Sequence, residues 1–325
     1  MITTFLIALA AGAASALMFA SIISGALISL LLFYLAPLPL MVAGLGWGAL
    51  TASIGGIGAA TVLGLLFGMP YLGAFVVTVA LPAWWLGHLA LLGRPISAGV
   101  PAANGVAAKA AVVEWYPVGR LLVWIAGFAA LTTMGALLTL GTDGETIMAT
   151  LRSALMRIAG PRSGAEGVTD SETVINALVT IAPAAAAIVA IMTLTLNLWL
   201  AGRIAATSGR LHRPWPDLKT AALPPMTMVV LCLAIALSFM GGVVGIFAMI
   251  ASSTLMMAYA LTGFATLHTL TLHLNSRALW LCSVYAFVMV LGWPILIMVG
   301  LGLADAFFGF RQRFLQRPLP PSTTA

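Results

Sequence analysis

Charged side chains are scarce in this chain. Asp, Glu, Lys and Arg make up 7% of its 325 residues, against about 25% in an ordinary soluble domain. A soluble fold of this size needs far more charge to cover its surface, and a disordered chain needs a polar composition, so both classes are excluded. The 14 basic residues are too few and too scattered to neutralise a phosphate backbone, so we expect no nucleic-acid partner.

Cysteine and catalytic motifs are scarce as well. Cys232 and Cys282 are the two cysteines, which excludes a disulfide scaffold, and we interpret both as small packing residues within apolar segments. His268 and His273 are five residues apart, which on a helix is a poor spacing for sharing a metal ion. The sequence contains no nucleophile elbow, Walker loop or paired carboxylates. We therefore predict no enzyme activity, no catalytic residue, no cofactor and no metal site.

Hydrophobic residues dominate what is present, at 62% of the chain. No charged side chain precedes Arg94, and so long an uncharged run must hold several membrane spans, since one helix needs about 20 residues. The sequence predicts an all-α, polytopic transmembrane helix bundle of about eight spans, give or take one, some of them broken by glycine or proline. The N-terminus has no basic residue before its apolar run, so we expect no cleavable signal.

Charge divides this single predicted membrane domain into segments. Basic loops stay on the cytoplasmic side of a membrane, so net-basic loops are assigned there and a net-acidic loop to the opposite side. The segments are an uncharged multi-span block (1–93), a basic cytoplasmic loop (94–120), a polar non-cytoplasmic loop with an interfacial helix (141–172), a second basic cytoplasmic loop (201–220), the C-terminal spans (221–310) and a polar tail (311–325).

The side of the membrane on which the tail lies is ambiguous. Three spans after Lys219 would place the tail outside, whereas its arginines favour the inside. Either one segment is re-entrant, or the last apolar stretch, 278–310, crosses as two short pieces. A hinge is expected near Gly241 and Gly242, between two spans within 223–267.

Glycine and proline predict further helix contacts and breaks. The apolar stretch 5–34 is either one tilted helix or a span broken near residues 21–25, and Pro37 and Pro39 predict a turn at its end. A span is expected over 40–67. Within it, glycines four residues apart would share a helix face and admit a second backbone; the pairs are Gly44/Gly48 and Gly64/Gly68.

Two capping boxes predict helix starts near the acidic loop. Thr142-x-x-Glu145 is followed by an apolar stripe, which predicts a short helix on the membrane surface. Thr169-x-x-Glu172 predicts the start of a span over 174–200, which Pro183 kinks. The residues of the stripe are Ile147, Leu151, Leu155 and Ile158.

Three polar side chains in or near spans are candidates for contacting a solute or an ion: Asn197, Asp305 and His88. Each also has a structural interpretation. Asp305 would pair with Arg311 or Arg277, Asn197 would bond across helices, and His88 would be an interfacial polar tip beside two tryptophans.

Five residues are candidates for an interface or a gate on the predicted cytoplasmic side. Glu114, Trp115, Tyr116 and Arg120 form a polar and aromatic cluster at a span entrance, and Trp215 lies in a proline-rich loop. The cluster either anchors the helix at the lipid headgroups or forms a gate or docking surface. The loop at Trp215 either is a rigid turn or presents the tryptophan to a partner protein.

Several segments resemble a known family. Residues 36–44 (APLPLMVAG), 261–265 (LTGFA) and 300–305 (GLGLAD), with Phe310-Arg311 after the last, resemble motifs of the YybS-like family of bacterial multi-pass inner-membrane proteins of unknown function. The runs Trp115-Tyr116-Pro117 and 213–216 (RPWP) look like those of its alphaproteobacterial members. The resemblance implies a bacterial inner-membrane location and no established activity.

The general pattern of that family is similar to the membrane-embedded substrate-binding components of energy-coupling-factor vitamin transporters. This similarity implies a small-solute binding or transport component that needs a separate ATPase or coupling module. The alternative is a membrane scaffold or assembly factor that docks partners through the two basic loops. A closed, polar-lined pocket at mid-depth near Asn197 and Asp305 would favour solute binding, and a solidly packed bundle would favour the scaffold.

Overall fold

The computed structural model describes residues 2–96, 112–159, 165–217, 219 and 221–316. The expectations for the middle of the basic loop 94–120 and for the end of the tail 311–325 lie outside the described residues. In order, the elements are α1 (Ile2–Ala20), a 3-10 turn (Ser21–Ser24), α2 (Leu27–Leu35), α3 (Pro37–Trp47), α4 (Ala49–Phe67), α5 (Met69–Phe75), a π-helical turn (Val76–Ala80), α6 (Leu81–Ala90), β1 (Gly93–Ile96), β2 (Val112–Trp115), α7 (Val118–Leu138), α8 (Gly144–Ala159), α9 (Ala165–Thr207), α10 (Met226–Ser238), α11 (Gly242–Leu270), α12 (Arg277–Leu291), α13 (Ile295–Phe308) and α14 (Phe310–Leu315).

The predicted fold class, an all-α polytopic helix bundle, is confirmed, and the chain is a multi-pass membrane protein. Three apolar helices, α10, α12 and α13, are shorter than a full span. Among the described residues, seven helical segments are long and apolar enough to cross a membrane: Ile2–Ser24, Leu27–Trp47, Ala49–Phe67, Met69–Ala90, Val118–Leu138, Glu172–Thr207 and Gly242–Leu270.

The chain divides into two compact units. The first contains Met1–Phe128 and Met192–Pro216, and the second contains Ala129–Ile191 and Asp217–Ala325. Helices α7 and α9 each contribute residues to both units.

Two glycines of the first unit end helices instead of packing them. Gly48 and Gly68 have φ angles of +97° and +92°, in a region that other residues rarely adopt. Their N–H groups donate to the carbonyls of Gly44 and Gly64 at 3.0 and 2.9 Å. The predicted packing role is therefore wrong for Gly48 and Gly68, because a spacing of four residues also arises when a glycine caps a helix end. Gly44 and Gly64 do lie close to neighbours, since a Cβ atom on them would meet Ala52 at 3.2 Å and Leu72 at 2.8 Å. The predicted span 40–67 is correspondingly two helices, α3 and α4.

The first apolar stretch is broken near residues 21–25, as one of its two interpretations predicted. A 3-10 turn follows α1, and Gly25 reverses the chain with a φ of +67°. Pro37 is the first residue of α3, where its missing N–H costs nothing. The prolines therefore end α2 as predicted, but they interrupt one candidate span, Leu27–Trp47, instead of separating two spans.

Close approach of two backbones occurs between α1 and α4. A Cβ atom on Gly12 would clash with the carbonyl oxygen of Gly55, and a Cβ atom on Gly55 would clash with the carbonyl oxygen of Ala8. Small residues allow membrane helices to approach this closely, and the gain is van der Waals contact.

Helix α8 starts at a different cap from the predicted one. Asp143 Oδ2 accepts the hydroxyl of Thr146 at 2.6 Å, and Asp143 Oδ1 accepts its backbone N–H at 2.8 Å. The box at Thr142 is therefore wrong by one residue, because an aspartate is an equally good N-cap. Both bonds favour the carboxylate and lower the pKa of Asp143, the hydroxyl bond more than the amide bond.

The apolar stripe of α8 packs into the second unit. Ile147 is fully buried, Leu151 packs beside it, and the side chain of Ile158 lies outside the described residues. The cluster around Ile147 contains Ala130 and Leu137 of α7, Ala187 of α9, and Ile246 and Ile250 of α11. A location of α8 on the membrane surface stays a prediction.

Helix α9 is longer than predicted. It begins at Ala165, so the predicted box at Thr169 and Glu172 lies inside the helix, and its assignment as the helix start is wrong. A helix can begin in the polar loop before it reaches the apolar segment, which a capping motif does not reveal. Pro183 lies in the helix interior, as expected.

In the second unit, the long helix α11 is preceded by the short helix α10 and followed by the short helices α12 and α13. Gly241 and Gly242, with φ angles of +74° and +60°, separate α10 from α11 and confirm the expected hinge. The stretch 278–310 contains two helices, α12 and α13, which are separated at Gly292.

Cys232 and Cys282 are exposed on α10 and α12, so their interpretation as packing residues is wrong. A thiol behaves as a small apolar group, which does not have to be buried inside a membrane protein.

Helices α11 and α13 contact each other backbone to backbone. A Cβ atom on Gly263 would clash with the carbonyl oxygen of Met298, and one on Gly302 would clash with the carbonyl oxygen of Tyr259. This contact fixes the position of the last turns of α13, where Asp305 lies.

Candidate functional site

Asp305 is buried in an ion pair with Arg311. The Nε and Nη2 atoms of Arg311 each lie 2.7 Å from Asp305 Oδ2, and the Arg311 backbone N–H donates to Oδ1 at 2.9 Å. Both side chains are 6% exposed. Gly309 makes the pair possible, because its φ of +65° ends α13 and turns α14 back. The structural interpretation of Asp305, pairing with Arg311, is confirmed.

The guanidinium of Arg311 has a third partner. Its Nη1 atom donates to the backbone carbonyl of Lys219 at 3.3 Å. All three guanidinium nitrogens are therefore engaged, and they tie α14 both to α13 and to the segment before α10. A buried ion pair loses much of its attraction to desolvation, so it is better evidence for fixed geometry than for stability.

These residues line a cavity in the second unit. Its volume is about 570 Å³, which is in the range of small-molecule sites. The described lining residues include Asp305 and do not include Asn197, so this cavity is not the single pocket near both residues that would have favoured solute binding. Its lining combines polar residues (Lys219, Asp305, Arg311, Gln312, Arg313, Gln316) with apolar ones, among them Leu223, Tyr259, Phe307, Phe308 and Leu315.

Asn197 is fully buried in the first unit. Its Nδ2 atom donates to the carbonyls of Tyr34 at 2.9 Å and Thr193 at 2.8 Å, while its Oδ1 atom has no partner among the described residues. Tyr34 lies at the end of α2, where the helix breaks before Pro37. Asn197 therefore bonds across helices, as its structural interpretation predicted, and its contact with a solute stays a prediction.

His88 lies in an aromatic cluster near the end of α6. Its ring stacks on Trp84 at 6.3 Å between centroids and contacts Trp85 at 6.1 Å. Trp124 of α7 packs edge-on against Trp85 at 5.2 Å and donates from Nε1 to the hydroxyl of Tyr116 at 3.2 Å. The contacts around His88 and Tyr116 fit an aromatic belt at a membrane interface.

Glu114 and Trp115 lie on a β-hairpin that the sequence did not predict. Strands β1 and β2 pair antiparallel, with Arg94 opposite Glu114 and Gly93 opposite Trp115. The Arg94–Glu114 ion pair is short, at 2.7 Å, but its side chains are 80% and 50% exposed, so it adds little stability. Arg120 is exposed in the first turn of α7.

The loop at Trp215 is held to the first unit by two arginines. Arg203 places its guanidinium 5.1 Å from the Trp215 ring centroid, and Arg213 donates from Nη1 to the carbonyl of Ala90 at 3.1 Å, near the end of α6. Burial lowers the pKa of the Arg213 guanidinium. Trp215 nevertheless remains 41% exposed, so the loop is fixed in place and still presents part of an aromatic surface.

The structure separates the predicted site residues into independent places. Among them, Asp305 lines the cavity and Asn197 makes a buried hydrogen bond between helices. Of the remaining six, Arg120 is exposed in the first turn of α7, and the other five lie at the hairpin, the aromatic cluster and the Trp215 loop. Sequence reasoning missed the basic and amide residues that line the cavity: Lys219, Gln312, Arg313 and Gln316. One signal was available, since the loop 201–220 and the tail 311–325 are both basic.

No family model, no curated protein and no solved structure matches this chain. The resemblance to the YybS-like family therefore stays a prediction.

Proposed function

We propose that this protein is a small-solute binding or transport component of the bacterial inner membrane. The observation that carries the proposal is the cavity of about 570 Å³ at Asp305 and Arg311. A solidly packed scaffold has no need for a cavity of this size beside an ion pair. Ligand sites typically combine an apolar lining with a few fixed polar groups, and this lining has that composition.

The buried pair supports the proposal through its geometry. Three guanidinium contacts and one backbone contact hold the cavity wall in a single arrangement, so little ordering would remain for a ligand to impose. The sequence has no nucleotide-binding loop, so energy-driven transport would need a separate ATPase or coupling module as a partner.

The test is ligand binding by the purified full-length protein in detergent. A metabolite library is screened for a saturable rise in melting temperature. Each hit is repeated on the cavity-filling variant Ala222→Phe/Ala306→Phe, whose residues line the cavity and are exposed. We expect at least one hit that this variant abolishes without a change in its own melting temperature. If no metabolite gives a shift that depends on the cavity, the proposal is wrong.

The second candidate function is a membrane scaffold or assembly factor. The observation that favours it is Trp215, which is 41% exposed in a loop that Arg203 and Arg213 hold in place. A half-exposed tryptophan in a fixed loop is typical of protein-binding surfaces. A photo-crosslinking amino acid at position 215 is expected to capture one specific protein in cells, whereas the same group at Leu65, 82% exposed on α4, captures none. Equal labelling at both positions would contradict this function.

A further inference from the structure

We infer that the cavity binds an amphiphilic anion, a phosphate-bearing head group attached to a hydrocarbon chain. This inference rests on the proposed function and names the ligand class for the same cavity. It depends on three features of the lining: the basic residues that are not neutralised by Asp305, the amide hydrogen-bond donors beside them, and the adjacent apolar side chains.

The lining carries an excess of positive charge. Among its described residues, Lys219, Arg311 and Arg313 oppose the single carboxylate of Asp305. Arg311 is already neutralised, because two of its nitrogens contact Asp305 Oδ2. Lys219 and Arg313 therefore remain as two exposed cations without an acidic partner in the lining.

Arg311 positions the backbone segments that carry these cations. Its Nη1 atom holds the backbone of Lys219, and Arg313 lies two residues further along the same short helix. Gln312 and Gln316 are four residues apart and add amide donors to the lining. Ammonium, guanidinium and amide groups together suit a tetrahedral phosphate with several acceptor oxygens.

Exposed apolar side chains lie beside this polar surface. Phe307, Phe308 and Leu315 line the same cavity and are 74%, 49% and 48% exposed. Apolar side chains next to a polar surface suit an amphiphile, because its head group would contact the polar residues while its hydrocarbon chain contacts the apolar ones. Basic pockets beside membrane helices on the cytoplasmic side are suited to anionic head groups, and the loop 201–220 is predicted on that side.

The experiment is native mass spectrometry of the full-length protein in a neutral detergent. It compares phosphatidic acid with diacylglycerol of the same chains, with phosphatidylcholine and with inorganic phosphate. We expect one phosphatidic acid to bind per protein in preference to uncharged diacylglycerol and zwitterionic phosphatidylcholine, and millimolar inorganic phosphate not to displace it. Binding of diacylglycerol or phosphatidylcholine at equal strength would overturn the charge argument, and displacement by inorganic phosphate would identify a soluble anion instead.

Variants separate this inference from the proposed function. Lys219→Gln/Arg313→Gln should weaken binding of phosphatidic acid about tenfold or more, since charge-assisted hydrogen bonds are lost. Arg157→Gln, an exposed arginine on α8 in the same unit, should leave it unchanged. Unaltered binding by the double variant would overturn the inference. If a neutral solute binds instead and Ala222→Phe/Ala306→Phe abolishes it, the inference fails and the proposed function survives; if nothing binds in a cavity-dependent way, both fail.

Discussion

At the residue scale, Asp305 and Arg311 depend on each other. Each is 6% exposed, so removal of either partner leaves a charge that is buried and unpaired. The free-energy cost of such an orphaned charge exceeds the net contribution of the intact pair. The two residues therefore act as one structural unit that shapes the cavity.

The corresponding prediction concerns Arg311→Met. We expect it to lower the free energy of unfolding by about 3–5 kcal/mol, because the carboxylate of Asp305 stays buried without a counterion. Asp305→Leu/Arg311→Met should recover most of that loss, since two apolar side chains fill a similar volume. The measurement is reversible unfolding in mixed micelles. The matched control is Arg313→Met, an exposed arginine of the same helix, and a comparable loss in this control would contradict the role assigned to the pair.

A second residue-scale prediction concerns pH and the cap of α8. The folded pKa of Asp143 lies below its ordinary value of 3.8. The stabilisation from the carboxylate is therefore fully present above pH 3.8 and is lost as the pH falls through the lower folded pKa. Hydrogen exchange in the first turn of α8 should speed up in this acidic range relative to Asp143→Asn, which keeps an N-cap acceptor that does not titrate. Parallel exchange profiles for the two proteins would exclude this contribution.

At the scale of elements, two glycines let α11 and α13 meet. Gly263→Ala is expected to destabilise the protein by about 1–3 kcal/mol, because the new methyl group meets the backbone of Met298, which cannot move aside as a side chain can. Gly300→Ala is the matched control. Its Cβ atom would meet nothing within 4 Å, and alanine favours a helix over glycine. The melting temperatures of the two variants are measured in detergent, and equal values would contradict the close contact between α11 and α13.

The sequence predicted the existence of the helices more reliably than the residues at which they begin and end. Apolar runs located the spans, because burial of each helix in lipid depends on composition alone. The spacing of Gly44 and Gly48 was misleading, since four residues separate both neighbours on a helix face and the partners of a capping bond. Thr142 and Asp143 are adjacent and both are favoured N-cap residues, and the Glu145 spacing of a capping box pointed to Thr142 although aspartate ranks higher.

The cavity itself could not be predicted from the sequence. It depends on a bond between Arg311 and Lys219, which are 92 residues apart. Pairing of Asp305 with Arg311 was predictable because only six residues separate them. Local pattern therefore identified the ion pair but not the basic lining that it organises.

At the scale of the whole molecule, the short helices limit how the chain crosses the bilayer. Helices α10, α12 and α13 contain 13, 15 and 14 residues, which corresponds to about 20–22 Å each at 1.5 Å per residue. The hydrocarbon core is about 30 Å thick. None of the three helices alone matches that thickness. For α12 and α13, a re-entrant path in which α12 enters and α13 returns agrees with their lengths.

The contact between Arg311 and Lys219 predicts the side of the membrane on which the tail begins. Lys219 belongs to the loop predicted to be cytoplasmic, and Arg311 bonds its carbonyl at 3.3 Å within the same unit. We therefore expect an even number of crossings between them, which places the tail inside and satisfies the positive-inside rule. Single cysteines at the exposed positions Ser208, Gln316 and Ser153, in a background with Cys232→Ala and Cys282→Ala, test this expectation with a membrane-impermeant maleimide. In intact cells, Ser208→Cys and Gln316→Cys should be protected and Ser153→Cys labelled, whereas labelling of position 316 together with position 153 would show an odd number of crossings and contradict the expected location of the tail.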